Sequence, residues 1–140
     1  RLPLNPPSAR DPLELRPLKG YLEPFHPEEP PRALRLPAEI PARFGRGLRI
    51  IDADDPGAYT TCFTSGYGRS IMRAGSYLRC GEGVRYFAPE EIARLLHLPA
   101  GFRFPEGVGL RRKWHLLGNS LSVIAVREVL GAFQGIIPER

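Results

Sequence analysis

Cysteine is scarce in this sequence of 140 residues, and the two cysteines present do not form a metal-binding pattern. Cys62 and Cys80 are too far apart for a Cys-x-x-Cys pair, and no cysteine and histidine cluster has the spacing of zinc ligands. We therefore predict no metal site. Two reduced thiols are the simplest interpretation, and they are typical of a protein inside the cell.

Long apolar runs are also lacking. No run approaches the roughly twenty apolar residues that a membrane-spanning helix requires, and no signal-peptide pattern opens the sequence. These absences predict no membrane partner and an intracellular location, either cytoplasmic or nuclear.

Lysine is nearly absent. Of the twenty basic residues only Lys19 and Lys113 are lysines, and the formal net charge is +5 at pH 7. Because the planar guanidinium group of arginine binds phosphates and guanine edges, this composition favours a nucleic-acid partner. The nucleotide composition of the gene is an equal explanation for any single arginine.

Proline and glycine, by contrast, are abundant, with sixteen and fifteen residues. Such usage argues against an all-helical bundle and favours a loop-rich mixed architecture. Prolines are concentrated in residues 1–41, where each removes an amide donor, so we expect an extended surface segment there. Residues 15–23 are the exception, and a single helical turn that anchors a linker explains them as well as a substrate contact does.

The middle of the sequence divides into strand-sized pieces. Residues 48–52 alternate as a strand does, and the Asp-Asp-Pro-Gly sequence at 54–57 predicts a turn after it. Residues 59–64 are rich in β-branched and aromatic side chains, which predicts a second strand or an extended run. Residues 77–87 predict a hairpin that turns across the Gly-Glu-Gly sequence at 81–83.

Helices are predicted in the last third of the chain. Pro89 suits the first position of a helix, and Glu90 and Glu91 suit its positive end. Residues 111–117 are predicted to form a short basic helix that is buried on one side. The side chains expected on its buried side are Leu110, Trp114 and Leu117.

A Gly118-Asn119-Ser120 turn follows, and the apolar residues after it recur as one buried helical face does, up to residues 131–135. These apolar residues are Leu121, Val123, Val126, Val129, Leu130 and Phe133. Asn119 is the predicted N-cap of that helix. Backbone amides and small side chains at such a start approach a ligand closely, and a plain capped helix is the alternative.

Three separated motifs resemble the cytosine-5 methyltransferases. The sequences Tyr-Phe-Ala-Pro-Glu-Glu-Ile-Ala-Arg-Leu-Leu at 86–96 and Trp-His-Leu-Leu-Gly-Asn-Ser-Leu at 114–121 are similar to the last two family motifs, numbered IX and X. Cys-Phe-Thr at 62–64, followed by Gly-Tyr-Gly at 66–68, resembles the target-recognition segment of the branch that modifies tRNA(Asp). The three motifs occur in the family's order, and the resemblance covers about residues 18–133.

The resemblance implies a fold class and a division of the chain. The expected fold is an α+β segment of an α/β protein. It combines a small target-recognition domain with a carboxy-terminal helix that packs on a Rossmann-like S-adenosylmethionine methyltransferase sheet. The expected division is a proline-rich leading segment at 1–20, the target-recognition domain with the motif IX helix at 21–108, and motif X with the carboxy-terminal helix at 109–140.

The family's reaction requires groups that this sequence lacks. Family members add a cysteine thiolate to carbon 6 of cytosine, which makes carbon 5 nucleophilic enough to take a methyl group from S-adenosyl-L-methionine. This chemistry needs a Pro-Cys motif, a glutamate, an arginine pair and a glycine-rich cofactor turn, none of which occurs here. We therefore expect no catalytic residue in this chain, and a catalytic half that is either a separate chain or sequence missing here.

The resemblance also implies binding residues. Gly118, Asn119 and Ser120 are expected to complete an S-adenosylmethionine pocket shared with the catalytic half. Phe63 and Tyr67 are expected to support or stack a flipped base. The loop around them is held by Cys62 and Thr64, and a basic rim for RNA phosphates is expected from Arg69, Arg73, Arg111, Arg112, Lys113 and His115.

Departures from the family pattern limit what is expected of RNA binding. Ser65 stands where many relatives carry lysine, and Thr60-Thr61 replaces a basic pair, so the affinity for RNA is either lower or supplied elsewhere. A solvated surface is an equal alternative to a phosphate contact for the rim.

Three functions remain open from the sequence. The first is the target-recognition and cofactor-closing part of a tRNA cytosine-5 methyltransferase, inactive without its catalytic half. The second is a noncatalytic RNA-binding or scaffold subunit derived from such an enzyme. The third, part of a DNA cytosine-5 methyltransferase, is disfavoured because the recognition motif resembles the tRNA branch more closely.

Overall fold

The computed structural model describes residues 16–26 and 28–133. The predictions for residues 1–15 and 134–140 lie outside this range. Four α-helices and three strands occur in the described residues, joined by loops and short 3₁₀ helices. They are α1 (Glu39–Phe44), β1 (Arg49–Ile51), β2 (Ser76–Cys80), β3 (Gly83–Tyr86), α2 (Pro89–Leu95), α3 (Leu110–Gly118) and α4 (Val123–Phe133).

The three strands form one mixed sheet in the order β1-β2-β3. β1 runs parallel to β2, with Ile51 beside Leu78, and β2 pairs with β3 as an antiparallel hairpin. Gly81 adopts a φ of 54° in the hairpin turn, a left-handed conformation that glycine reaches without steric cost. The predicted strand, the predicted hairpin and the predicted α+β segment are confirmed.

Residues 59–64 do not form a strand, so the alternative of an extended run is the correct one. The Thr64 amide donates to the Ala74 carbonyl at 2.8 Å, and the Thr61 amide donates to the Ser76 hydroxyl at 2.9 Å. Because the Thr61 amide bonds to a side chain and not to a backbone carbonyl, residues 59–64 do not form a regular ladder of backbone hydrogen bonds. The predicted turn before this run is present, because the Asp55 carboxylate accepts from the Gly57 amide at 2.8 Å.

Aromatic rings form the centre of the core, and Tyr67 lies in the middle of them. Its ring centroid is 5.4 Å from those of Tyr86 and Trp114, and its hydroxyl donates to the Ser76 carbonyl at 2.6 Å. The same hydroxyl accepts from the Phe87 amide at 3.0 Å. Because burial raises the pKa of Tyr67 well above its usual range, the phenol stays neutral and keeps this hydrogen bond.

Helix α2 starts at Pro89, as predicted, and its first turn is organised by Glu91. The Glu91 carboxylate is fully buried and forms a two-pronged ion pair with Arg85 at 2.8 Å for both contacts. It also accepts from the Ala88 amide at 2.7 Å and from the Glu23 amide at 2.9 Å. Glu91 therefore caps its own helix where the side chain of Ala88 cannot, and it joins the leading segment to β3.

The leading segment contains the single helical turn that was one of the two expectations for residues 15–23. A 3₁₀ helix spans Leu18–Tyr21 and buries Leu18 and Tyr21. Arg94 of α2 holds its end by donating to the Tyr21 carbonyl at 2.8 Å and pairing with Glu23 at 2.7 Å. The turn is therefore an anchor against α2.

The predicted N-cap at Asn119 is wrong, because Asn119 follows the end of α3. Its side-chain amide donates to the His115 carbonyl at 3.1 Å, and so satisfies a carbonyl that the ending helix leaves free. Helix α4 begins four residues later, with the Ser122 hydroxyl accepting from the Ala125 amide at 3.4 Å. The short basic helix itself is confirmed, with Trp114 and Leu117 buried.

Helix α4 exposes its apolar side chains. Val129 is 57% exposed, Leu130 61% and Phe133 50%, and no residue of the helix is buried by the described chain. By length and composition alone, the 24 residues from Leu110 to Phe133 would also suit a membrane span. The sequence did not predict this span, because charged residues interrupt the stretch. The chain divides this stretch into two helices, and α3 packs Trp114 into the core.

The buried ion pair provides a test of what holds the fold together. We expect Glu91→Gln to lower the free energy of unfolding by about 3–5 kcal/mol, because it leaves the Arg85 charge buried without its partner. The matched control is Glu90→Gln, whose side chain is 48% exposed and pairs with Lys113 at 3.4 Å. The control should cost at most about 1 kcal/mol. Equal losses in urea unfolding would contradict this assignment.

Candidate functional site

The candidate site is the junction where the loop at residues 62–70 packs against the end of α3. Gly118 makes this contact possible. A Cβ atom at position 118 would lie 2.2 Å from the Thr64 carbonyl carbon and 2.3 Å from the Ser65 nitrogen. The absence of a side chain at Gly118 therefore allows the contact with the loop backbone, and its expected role in a cofactor pocket stays a prediction.

His115 bridges the loop and the turn after α3. Its Nδ1 atom lies 3.3 Å from the Ser65 carbonyl oxygen, which can only accept, so Nδ1 carries the proton in this contact. Its Nε2 atom lies 3.3 Å from the Asn119 amide nitrogen, which donates to it. His115 is half-buried, so its ring links the loop to the turn and is also partly accessible at the surface of the junction.

Tyr67 cannot stack on a base in this structure, which corrects half of the aromatic prediction. It is 1% exposed and its hydroxyl is fully engaged in the core. Phe63 is half-buried and packs edge-on against Tyr67 and Phe87, with centroid distances of 5.1 and 5.2 Å. Tyr67 therefore supports Phe63 from below, and Phe63 alone presents part of its ring to the surface of this loop.

Cys62 and Thr64 flank Phe63 and are both exposed. The Thr64 hydroxyl accepts from the Gly66 amide at 3.3 Å, and its carbonyl accepts from the Tyr67 amide at 3.0 Å. These two bonds define the turn that was expected to hold the loop.

The predicted basic rim is only partly free to bind a ligand. Four arginines of the rim are exposed and have no acidic partner among the described residues. They are Arg69, Arg73, Arg111 and Arg112. Lys113 instead pairs with Glu90 at 3.4 Å and lies 5.0 Å from the centroid of the Phe104 ring. Arg111 is therefore a stronger phosphate candidate on α3 than Lys113.

Asn119 and Ser120 lie exposed just beyond the junction. The Ser120 hydroxyl donates to the Leu116 carbonyl at 2.9 Å, and the Asn119 side-chain nitrogen is engaged with His115. Both residues keep acceptor oxygens without a donor among the described residues. These two oxygens can accept hydrogen bonds from donor groups of a ligand.

The Cys80 thiol shows no sign of activation. Burial raises the pKa of the Cys80 thiol, and the nearby charges of Arg85 and Arg35 offset the rise only in part. A raised pKa disfavours the thiolate form that a nucleophile requires. Within residues 16–26 and 28–133, no group of three histidine, cysteine or acidic residues is arranged to hold a metal ion.

A cleft of about 730 Å³ lies between the leading segment and the connection from α2 to α3. No motif in the sequence predicted it. Two of its cations are neutralised, Arg94 by Glu23 and Lys113 by Glu90. His97 borders it in a left-handed conformation with a φ of 56°, and its Nδ1 atom is buried without a partner. No short motif signals such a cleft, because its walls come from distant parts of the chain.

Comparison with known proteins identifies relatives of this chain. It is 33% identical over 144 aligned positions to the tRNA (cytosine(38)-C(5))-methyltransferase of Rattus norvegicus, an alignment that covers 84% of this chain and 35% of that protein. The human protein of the same name is 35% identical over 97 positions, which cover 51% of this chain and 25% of that protein. No protein-family model matches the chain.

The chain is homologous to cytosine-5 methyltransferases. It spans about a third of the length of the curated relatives named here. A DNA (cytosine-5)-methyltransferase of Dictyostelium discoideum is also similar, with 31% identity over 86 positions that cover 51% of this chain and 23% of that protein.

Solved structures of cytosine-5 methyltransferases share this fold. A Dnmt2 methyltransferase of S. pombe has a TM-score of 0.73 and 23% identity, with 88% of this chain matching 43% of that one. A methyltransferase of Entamoeba histolytica has a TM-score of 0.70 and 20% identity, with 86% of this chain matching 41% of that one. The described residues are therefore an α+β part of a methyltransferase fold.

The close contact at Gly118 predicts a sharp response to a single methyl group. We expect Gly118→Ala to lower the free energy of unfolding by about 1–3 kcal/mol, because the obstructing atoms belong to the loop backbone and cannot rotate away. The matched control is Gly131→Ala in α4, where a Cβ atom meets nothing within 4 Å. The control should leave stability unchanged or raise it by up to about 1 kcal/mol. Similar thermal unfolding of both variants would contradict the tight junction.

Proposed function

We propose that this chain is the target-recognition and cofactor-closing part of an S-adenosylmethionine-dependent tRNA cytosine-5 methyltransferase, and that it is inactive without the catalytic half. The observation that carries the proposal is the junction itself. The loop with the Cys-Phe-Thr motif and the turn with the Gly-Asn-Ser motif meet through Gly118 and His115. A substrate-binding loop and a cofactor-binding turn must be neighbours if one reaction uses both ligands.

Each side of the junction has a distinct proposed role. Phe63 supports the target base from the loop side, with Cys62 and Thr64 shaping the loop around it. Arg69 and Arg111 bind RNA phosphates, with His115 and Lys113 contributing less because each already contacts a group of the chain. Asn119 and Ser120 hold S-adenosylmethionine, which supplies the methyl group when bound.

The exposed apolar face of α4 supports the need for a second half. An isolated helix with several exposed apolar side chains is marginal in water and is stabilised when another surface covers that face. The relatives are about three times as long as this chain, and we propose that α4 packs on the part of the methyltransferase outside it. The proposed units are the leading segment at 1–20, the recognition domain at 21–108 and the returning segment at 109–140.

Two alternatives keep specific support. A part of a DNA methyltransferase agrees with the Dictyostelium discoideum relative, but that alignment covers 51% of this chain whereas the rat tRNA enzyme covers 84%. A noncatalytic RNA-binding subunit agrees with the absence of the catalytic motifs. We propose an intracellular location, cytoplasmic or nuclear, for each of these functions.

The proposal predicts that the chain alone does not methylate tRNA. Incubation with tRNA and S-adenosylmethionine should produce no 5-methylcytidine above background, because the nucleophile, its acid partner and the glycine-rich turn are not encoded. Mass spectrometry of digested tRNA measures the product. The Rattus norvegicus relative, on the same tRNA, is the positive control.

The same assay separates the alternatives when a chain with the catalytic motifs is added. Restored methylation of tRNA supports the recognition role, and methylation of DNA alone supports the DNA alternative. Binding of tRNA without any methylation supports the noncatalytic subunit. Product formed by this chain alone would overturn the proposal.

The role of α3 predicts a change in the salt dependence of tRNA binding. Arg111→Ala should flatten the slope of log affinity against log salt by about 0.7–0.9, the contribution of one lost phosphate contact. Lys113→Ala is the matched control on the same helix, and its effect should be smaller because Glu90 already neutralises it. An unchanged slope for Arg111→Ala would leave α3 as ordinary solvated surface.

A further inference from the structure

A second basic surface lies away from the junction, around the end of α1 and the start of β1. Arg43, Phe44 and Arg46 face Met72 across a hollow of about 580 Å³. Met72 is 45% exposed and packs over Gly47, where a Cβ atom would lie 2.8 Å from its methyl group. We call this the arginine–aromatic surface, and its members are Arg43, Phe44, Arg46, Arg49, Tyr59 and Met72.

Aromatic rings and guanidinium groups stack on one another in this surface. The guanidinium carbon of Arg49 lies 4.2 Å from the centroid of the Tyr59 ring, and that of Arg43 lies 5.0 Å from the Phe44 ring. Tyr59 is 64% exposed, so the ring is accessible beside its arginine. Stacking of this kind holds the guanidinium plane while leaving its edge donors free.

The charges of the arginine–aromatic surface are unpaired. Among the described residues, none of its three arginines has an acidic group within 4 Å, whereas Arg85, Arg94, Lys19 and Lys113 all do. The acidic residues that follow β1 are engaged elsewhere. Asp52 and Asp55 accept from backbone amides, and Asp54 pairs with Lys19 at 2.6 Å.

We propose that the arginine–aromatic surface is a second RNA contact, which binds the phosphates of an unpaired RNA segment and stacks one base on Tyr59. This inference rests on the proposed function for its partner class, but on different residues for its site. Unpaired arginines suit phosphates, and an exposed ring suits a base that is not already stacked in a duplex. The cleft beside α2 is a poorer phosphate site, because the carboxylates of Glu23 and Glu90 also line it, whereas no carboxylate of the described residues lines the hollow beside Met72.

This surface lies next to the recognition motif in the chain. The Thr60-Thr61 pair joins it to the Cys-Phe-Thr sequence at 62–64. Tyr59 immediately precedes that threonine pair. An RNA strand that runs from the junction past Thr60 would therefore reach Tyr59 and Arg49 next.

The charge arm of the test measures tRNA binding to the full chain across salt concentrations. Arg43→Ala/Arg46→Ala should flatten the slope of log affinity against log salt by about 1.4. For each arginine removed, the loss of affinity relative to the unchanged chain should grow about fivefold with each tenfold decrease in salt. Arg32→Ala/Arg127→Ala is the matched control, because it removes the same charge from exposed positions elsewhere. The control should flatten the slope of log affinity against log salt by clearly less than the Arg43/Arg46 variant does. All variants should unfold at the same temperature as the unchanged chain, because the replaced side chains are exposed.

The stacking arm uses Tyr59→Ala with a single-stranded RNA and a duplex RNA of equal charge. Loss of a stacked base should weaken binding of the single strand by roughly fivefold or more and leave the duplex unaffected. Tyr59→Phe should restore the affinity, because the ring and not the hydroxyl is used.

The outcomes separate this inference from the proposed function. If Arg111→Ala weakens tRNA binding while the Arg43/Arg46 variant matches its charge control, the second contact is overturned and the proposed function stands. If the chain binds no tRNA at all, both are overturned. Preferential binding of an acidic protein over RNA through Arg43 and Arg46 would also overturn the RNA assignment.

Discussion

The buried ion pair between Glu91 and Arg85 is the constraint on which the rest of the structure depends. One carboxylate bonds to a strand side chain, to the start of α2 and to the backbone of the leading segment at Glu23. A charge in an apolar interior is tolerated only when it is paired and fully hydrogen-bonded, so these three segments cannot separate without exposing it. The anchor of α2 in turn fixes the connection to α3, and through α3 it fixes the candidate site.

Local chemistry explains which parts could be read from the sequence. The hairpin and the start of α2 depend on Gly81 and Pro89, whose backbone preferences act within a few residues, and both were predicted correctly. The expectation that Tyr67 supports or stacks a base came from the family resemblance and not from its packing environment. The glycine at 68 instead admits the Trp114 ring, to which a Cβ atom would come within 2.3 Å, and the tyrosine is drawn into the core. Such packing is long-range and leaves no local pattern.

The distribution of ion pairs divides the basic residues into two groups that composition cannot distinguish. Arg85 and Arg94 hold the fold together through carboxylates, whereas Arg43, Arg46 and Arg111 face solvent without a carboxylate partner in the part of the chain that the structure describes. The sequence shows only an excess of arginine. The surface arginines are therefore identified by what the fold leaves unpaired, and the same residue type has structural and binding roles in one small chain.

The contact at Gly118 has a mechanical consequence. No side chain separates the end of α3 from the backbone of Thr64 and Ser65, so a displacement of the loop cannot be absorbed at the interface and must move the helix end with it. Asn119 and Ser120 follow that helix end directly. If a ligand on one side displaces this joint, the affinity for a ligand on the other side changes, and the coupling free energy between the two sites is the same in both directions.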